Sequence, residues 1–205
     1  MARDRSPIVK QSRREGYALH RKAPKIMLKK PGIPGMHAHS RQSKPSLYSI
    51  QLREKQKVRR LYGLLEKQFS KLMKEASRSK GQSGELLLQL LERRLDNTIY
   101  RAGLAGSRRG ARQLSSHGHF LLNGRRVDVP SIRVKAGDII TVRPRSLETV
   151  YFKNAEDLLK ETNPGPLSWL KFDQKKLTIE ITGLPTRTEA EPDINEQLIV
   201  EYYSR

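Results

Sequence analysis

The sequence predicts an α+β protein: a mainly helical front part, followed by a compact unit of helices and a small β-sheet. Three observations carry this. Apolar residues recur at steps of three and four from Val58 to Ala102, the period of a helix face. An Asn123-Gly124 pair sits between short apolar runs, as in a tight hairpin. Short runs rich in β-branched residues then follow from Ile139 to Ile181, separated by Gly-, Asp- and Lys-containing turns.

Charge sets the partner class. Among 205 residues, 41 Lys and Arg face 21 Asp and Glu, a net of +20. Such a chain attracts polyanions, nucleic acid first and an anionic membrane surface second. The charge is uneven: residues 1–80 carry a net +17, residues 81–150 a net +6, and residues 151–205 a net −3. The front seeks polyanions, whereas the acidic tail suits packing or protein contact. With no cysteine, disulfides, thiolate zinc sites, iron–sulfur clusters and cysteine nucleophiles are excluded. No apolar run approaches the ~18 residues of a spanning helix, and the start lacks the apolar core of a secretory signal.

Residues 1–46 read as a basic arm. Pro24, Pro31, Pro34 and Pro45 deter long helices there. Two readings stand: a disordered solubilising tail, or an arm that orders on RNA through Arg3, Lys10, Arg13, Arg14 and Arg21. A long helix is expected next. Val58, Leu61, Tyr62, Leu65, Phe69, Leu72, Met73 and Ala76 form its apolar stripe. Arg53, Lys55, Lys57, Arg59 and Arg60, with Lys67, Lys71 and Lys74, give it a cationic face with few acids, a candidate RNA surface. A second helix, from about Glu85 to Ala102, buries Leu87, Leu88, Leu91, Leu95 and Ile99 and stops at Gly103. Its Arg93, Arg94 and Arg101 are candidate phosphate ligands.

Ser107 caps a short third helix, and Gly118 ends it. Arg108, Arg109 and Arg112 then stand at its start beside backbone N–H groups that favour anions. Three cations there oppose the helix dipole, a conflict that a bound phosphate would relieve. Gln113, His117 and His119 are candidates for hydrogen bonding or stacking with RNA. The hairpin Phe120–Val127 brings Asn123, Arg125 and Arg126 close to these arginines. Lys135-Ala136-Gly137-Asp138 turns into a strand from Ile139 to Val142. In the tail, Leu158-Leu159 marks a short helix, and two strands span Leu167–Phe172 and Leu177–Ile181. Residues 183–193 have a linker composition. Asp193-Ile194-Asn195-Glu196 reads as a capping box that opens a last helix, too short to stand alone and therefore docked.

Catalytic patterns are missing. There is no phosphate-cradling glycine loop. His37 and His39 lack a nearby carboxylate to complete a metal site. Asp96, just after Arg93-Arg94, is placed to orient an arginine, and Glu156-Asp157 has no inferred pocket. The expectation is no enzyme, cofactor, metal or small-molecule substrate.

Several motifs together carry a resemblance. Leu91-Glu92-Arg93-Arg94-Leu95-Asp96-Asn97, Tyr100-Arg101, Ala111-Arg112-Gln113-Leu114, His117-Gly118-His119, Asn123-Gly124, Pro130-Ser131 and Gly137-Asp138 resemble the RNA-binding domain named after small-subunit ribosomal protein S-four. Ser12-Arg13-Arg14-Glu15-Gly16, the stretch Gln51 to Arg60 with Tyr62-Gly63, and the ending Asn195 to Arg205 are similar to the bacterial ribosomal S-four family itself, over nearly the full chain. That resemblance implies a primary binder of small-subunit ribosomal RNA that docks at a multi-helix junction and nucleates body assembly. It implies contact with ribosomal protein S-five that supports translational accuracy, proximity to mRNA where the message enters the particle, and a cytoplasmic location in the small ribosomal subunit. Some relatives repress their own message. It also implies that the last helix completes the first domain: residues 1–46 an arm, 47–92 completed by 183–205 a discontinuous helical domain, and 93–182 the inserted S-four-type unit. The chain departs from the family in two places. Many relatives hold zinc through four cysteines in the arm; Val9 and Ser12 stand here where the first pair would be, and the basic cluster at the message entrance is reduced to Arg41 and Lys44.

Two other classes compete. An RNA-modifying enzyme would use the same unit as a handle, but needs a catalytic domain for which too few residues remain. A dedicated translational repressor would share the RNA surface and be separated by its failure to sediment with small subunits.

Overall fold

The computed structural model describes residues 4, 6–36, 38, 44–154, 159, 165 and 167–204. In chain order its elements are helices α1 (Ile8–Glu15), α2 (Ala23–Lys29), α3 (Leu47–Leu61), α4 (Glu66–Arg78), α5 (Ser83–Glu92), α6 (Leu95–Arg101) and α7 (Arg108–Ser116). Strands β1 (Phe120–Leu122), β2 (Arg125–Val127) and β3 (Ile139–Val142) follow, then short helices α8 (Pro144–Leu147) and α9 (Val150–Lys153). Strands β4 (Leu170–Asp173) and β5 (Thr178–Ile181) and helix α10 (Glu196–Tyr203) complete the order. The chain divides into two units: Met1–Leu87 with Asp193–Arg205, and Leu88–Pro192.

The first unit is helical. The stripe expected to make one long helix is carried by two, α3 and α4. Gly63, at φ 63°, breaks it. Leu64 N–H returns to Arg59 C=O and Gly63 N–H to Arg60 C=O, the paired bonds that close a helix end around a left-handed residue. Val58, Leu61, Phe69, Leu72, Met73 and Ala76 are nevertheless all buried, so the apolar period survives the break. α10 packs on α3. Gln51 Nε2 donates to Glu201 at 2.9 Å, Asn195 N–H to Glu54 at 2.8 Å, and Lys57 Nζ to the Asp193 carbonyl at 2.6 Å. Its cap differs from the expected box: Asn195, not Asp193, accepts from the N–H groups of Gln197 and Leu198. The Asp193 carbonyl is taken up by Lys57, and the helix starts after it.

The second unit is a sheet with helices. Its strand order is β2-β1-β3-β5-β4, antiparallel throughout. Asn123 takes φ 49° and Gly124 φ 78°, the two positive values that a two-residue hairpin turn with matching twist requires. Leu95, Ile99, Phe120, Ile140, Trp169 and Ile179 fill the core, each large apolar side chain contributing roughly 1.5–3 kcal/mol by leaving water. The helix expected over residues 85–102 is also two. Arg94 adopts extended backbone and bridges Arg133, while Leu95 N–H bonds the Ile132 carbonyl and Val134 N–H the Arg93 carbonyl. A strand-like step therefore interrupts the helix. The segment read as a linker is ordered: Thr186 and Glu189 form a capping box around a 3-10 turn, and Ala190 is buried. Leu159 is buried, but its predicted helix partner Leu158 lies outside the described residues.

Candidate nucleic-acid interface

Helix α7 and the β1–β2 hairpin meet at Gly118, and each carries exposed polar side chains. The Ser107 hydroxyl accepts from Gly110 N–H at 3.1 Å and starts the helix as expected. At the other end, Gly118 N–H returns to Ser115 C=O and His119 N–H to Leu114 C=O. Gly118 sits at φ +71°, and a Cβ built there would lie 2.6 Å from Nε of Arg126. The Arg126 guanidinium thus lies against the end of α7. Arg109, Gln113, His117, Arg125 and Arg126 are all exposed. The hairpin that carries the last two is an edge of the sheet, where cationic side chains also discourage pairing with another strand. Asn123 is used structurally: its amide donates to Asp138 and accepts from Ile139 N–H, each at 2.9 Å.

Arg93, Arg94, Arg101, Arg108 and Arg112 are less exposed and are engaged within the protein. Arg94 and Arg112 both donate to Asp96, Arg94 from Nη2 at 3.0 Å and Arg112 from Nε at 2.7 Å. Arg101 donates to Glu92 through Nε at 2.9 Å and Nη2 at 2.8 Å. Asn97 donates to Glu92 at 2.7 Å and accepts from Arg108 Nε at 2.9 Å. Arg108 also lies over the Tyr100 ring at 4.5 Å and donates to Glu191 at 2.7 Å. Arg93 Nε donates to the Val134 carbonyl at 3.0 Å. Glu92 and Asp96 are buried, so their charges require these partners. The dipole conflict at the start of α7 is therefore met by Asp96 and Glu191. Of these two, sequence reasoning placed Asp96 beside an arginine and missed Glu191, which lies 83 residues from Arg108.

The first unit shows the same division. Lys10, Arg14 and Arg21 are exposed, and Arg13 is half-buried. Glu15 pairs with Arg53 at 3.2 Å and with Arg60. Burial pushes the Glu15 carboxyl up while both arginines pull it down, and burial lowers Arg60. Lys55 is only 4% exposed; it pairs with Glu66 at 2.9 Å and lies 4.6 Å from the Tyr202 ring centre. Glu66 also accepts from Tyr203 at 2.8 Å. Burial raises its pKa, but the bonds from Lys55 and Tyr203 outweigh this and hold it below the usual range. Lys57 pairs with Glu54, and Arg59 with Gln56 and Glu66. The cations of α3 expected to face RNA thus brace this unit, whereas Lys67, Lys71 and Lys74 on α4 are exposed.

His119 Nδ1 lies 3.0 Å from Ser146 Oγ, and burial, then His117 and Arg143, lower its pKa. Among the described residues, no group of three His, Asp or Glu is placed to hold a metal, and no helix is long and apolar enough to cross a membrane. Arg3, His37, His39, Arg41 and Glu156-Asp157 lie outside the described residues.

Comparison with known proteins matches two stretches of the chain. Residues 3–92 match the Ribosomal protein S4/S9 N-terminal domain, and residues 93–140 match the S4 domain. A protein of Chloroflexus aurantiacus is 48% identical, one of Roseiflexus sp. 47% and one of Clostridioides difficile 46%, each over the whole of both chains. The chain belongs to the ribosomal S4 family. All three relatives carry the name small ribosomal subunit protein uS4, the name of a ribosomal component and not of an enzyme. Within the S4 domain of this family member, α7, the hairpin and the Asp96 pairs all fall in the matched residues; Glu191 falls outside them.

Proposed function

We propose that this chain is a structural constituent of the small ribosomal subunit, and that it binds small-subunit ribosomal RNA. The observation that carries this is the exposed group Arg109, Gln113, His117, Arg125 and Arg126 on α7 and the hairpin, in a chain similar over its full length to proteins named as small-subunit components. Cations on such a face neutralise phosphates and release counterions. Rigid helices and a braced hairpin select RNA by shape more than by linear sequence. The exposed Lys10, Arg14 and Arg21 of the arm offer phosphate contacts of their own.

In this reading the chain binds early, nucleates assembly of the subunit body, and works in the cytoplasm. Contact with ribosomal protein S-five, through which it supports translational accuracy, and proximity to incoming mRNA belong to the same proposal and rest on the family resemblance. Reconstitution tests it. Purified chain added to small-subunit ribosomal RNA and the remaining small-subunit proteins should sediment with the particle, and its omission should leave particles that sediment slowly. A chain that stays unbound while full-size particles form would refute the assignment.

A further inference from the structure

Two guanidiniums converge on one carboxylate oxygen in the second unit. Oε1 of Glu191 lies 2.7 Å from Arg108 Nη2 and 3.5 Å from Arg101 Nη2. We propose that Glu191 is a built-in stand-in for an RNA backbone phosphate: it fills the anion position at Arg101 and Arg108 in the free chain and gives it up when RNA binds. This rests on the RNA-binding reading above and adds a regulation of that same surface.

The charge arrangement supports it. Arg101 and Arg108 bring two positive charges together. Glu92, its side chain 1% exposed, is bound by Arg101 and Asn97 and holds one of them from the inner side. A second carboxylate meets them from the outer side. Glu191 fills that place with its side chain 18% exposed, the more accessible of the two acids. Like charges this close repel unless an anion lies between them. The carboxylate therefore keeps both guanidiniums gathered before RNA arrives, and a phosphate must displace it to bind there. A phosphate offers arginine the same planar pair of acceptor oxygens that a carboxylate does.

The surrounding chain lets the side chain move alone. Arg187 donates to the Glu191 carbonyl at 3.3 Å, Ala190 is buried, and Glu189 is fixed by Ser168 N–H at 2.6 Å and by Thr186. The backbone stays anchored while the carboxylate swings outward about its own torsions. The acidic tail thereby has a role at the basic surface: it screens two arginines from adventitious anions and releases them to a phosphate presented in the right place.

The test is binding of full-length chain to full-length small-subunit ribosomal RNA, with excess transfer RNA as competitor, across a salt series. Glu191→Gln should bind about three- to tenfold more tightly, while its dependence of log K on log salt stays close to that of the unaltered chain, because the same phosphate contact forms in both. Glu191→Asp keeps the charge but shortens the reach. It should also gain affinity, which a general charge effect does not predict. In an Arg108→Ala background the Glu191→Gln gain should vanish. Thermal melts of each variant report folding independently. The proposal is overturned if Glu191→Gln binds equally or more weakly while folded, or if its gain persists without Arg108. If the unaltered chain shows no binding that survives the competitor, the RNA-binding reading itself fails, a result distinct from any difference among variants.

Discussion

Asp96 holds Arg112 with two bonds to one oxygen: Nε at 2.7 Å and Nη2 at 2.6 Å from Oδ2. The residues are 16 apart in sequence, and the pair fastens α7 to α6. Asp96 also takes Arg94. Removing the charge of a buried carboxylate takes an ion-pair partner from two guanidiniums. Asp96→Asn should therefore lower stability by about 3 kcal/mol. Urea unfolding followed by Trp169 fluorescence measures this, and a loss within experimental error would remove Asp96 from its place as the organiser of this unit.

Arg109, Arg125 and Arg126 behave differently because they are exposed. Changing all three to Gln should lower the unfolding midpoint far less than Asp96→Asn does. It should reduce the salt slope of ribosomal RNA binding by about 2, at roughly 0.7 per single-strand phosphate contact. Three exposed lysines of α4, Lys67, Lys71 and Lys74, provide the comparison. Equal losses from both triplets would mean that general charge and not the α7–hairpin surface governs binding.

Gly118→Ala probes the seam between α7 and the hairpin. The left-handed backbone at φ +71° costs an alanine about 1–2 kcal/mol. The new Cβ also meets Nε and Nη2 of Arg126 at 2.6 and 2.8 Å. Arg126 is exposed and its end is flexible, so the guanidinium moves aside and the backbone cost dominates stability. Binding to RNA should fall in addition, beyond the loss expected from the unfolded fraction. Calorimetry for stability and filter binding at saturating fold separate the two effects.

His119 predicts a pH response. Its pKa in the folded chain is lowered by burial, then by His117 and Arg143. The unfolded chain therefore binds the proton more readily. This contribution to stability is complete above the ordinary histidine value of about 6.5 and is lost as pH falls through the lowered folded value. Urea midpoints between pH 8 and pH 5 should drop for the unaltered chain. His119→Gln should show a shallower drop, and parallel curves would assign the acid loss to other groups.

What the sequence made legible was local. Ser107 capping α7, the Asn123-Gly124 turn and the strands around Ile140 and Ile179 each follow from residues within a few positions of one another. The breaks at Gly63 and at Arg93-Arg94 were hidden because the apolar residues keep their helical spacing across them. The second break is made by backbone bonds to Ile132 and Val134, which no local pattern announces. The site was legible only in part for the same reason. Basic residues are visible in sequence, but whether a cation meets solvent or a carboxylate depends on distant partners: Glu15 for Arg53 and Arg60, Glu66 for Lys55, Glu191 for Arg108. The dipole conflict at α7 was a real signal, and acids of the chain itself are its first answer.

The proposed RNA-binding surface of α7 and the hairpin should recognise one shaped site in small-subunit ribosomal RNA. Chemical footprinting of the purified chain on the full-length RNA tests it most directly, at about 200 mM salt, where nonspecific binding is weakened, and with excess transfer RNA present. A discrete protected junction is expected, fading when Arg109, Arg125 and Arg126 are changed together. Diffuse protection, or protection removed by transfer RNA, would contradict it and leave the net charge of +20 as the whole basis of binding.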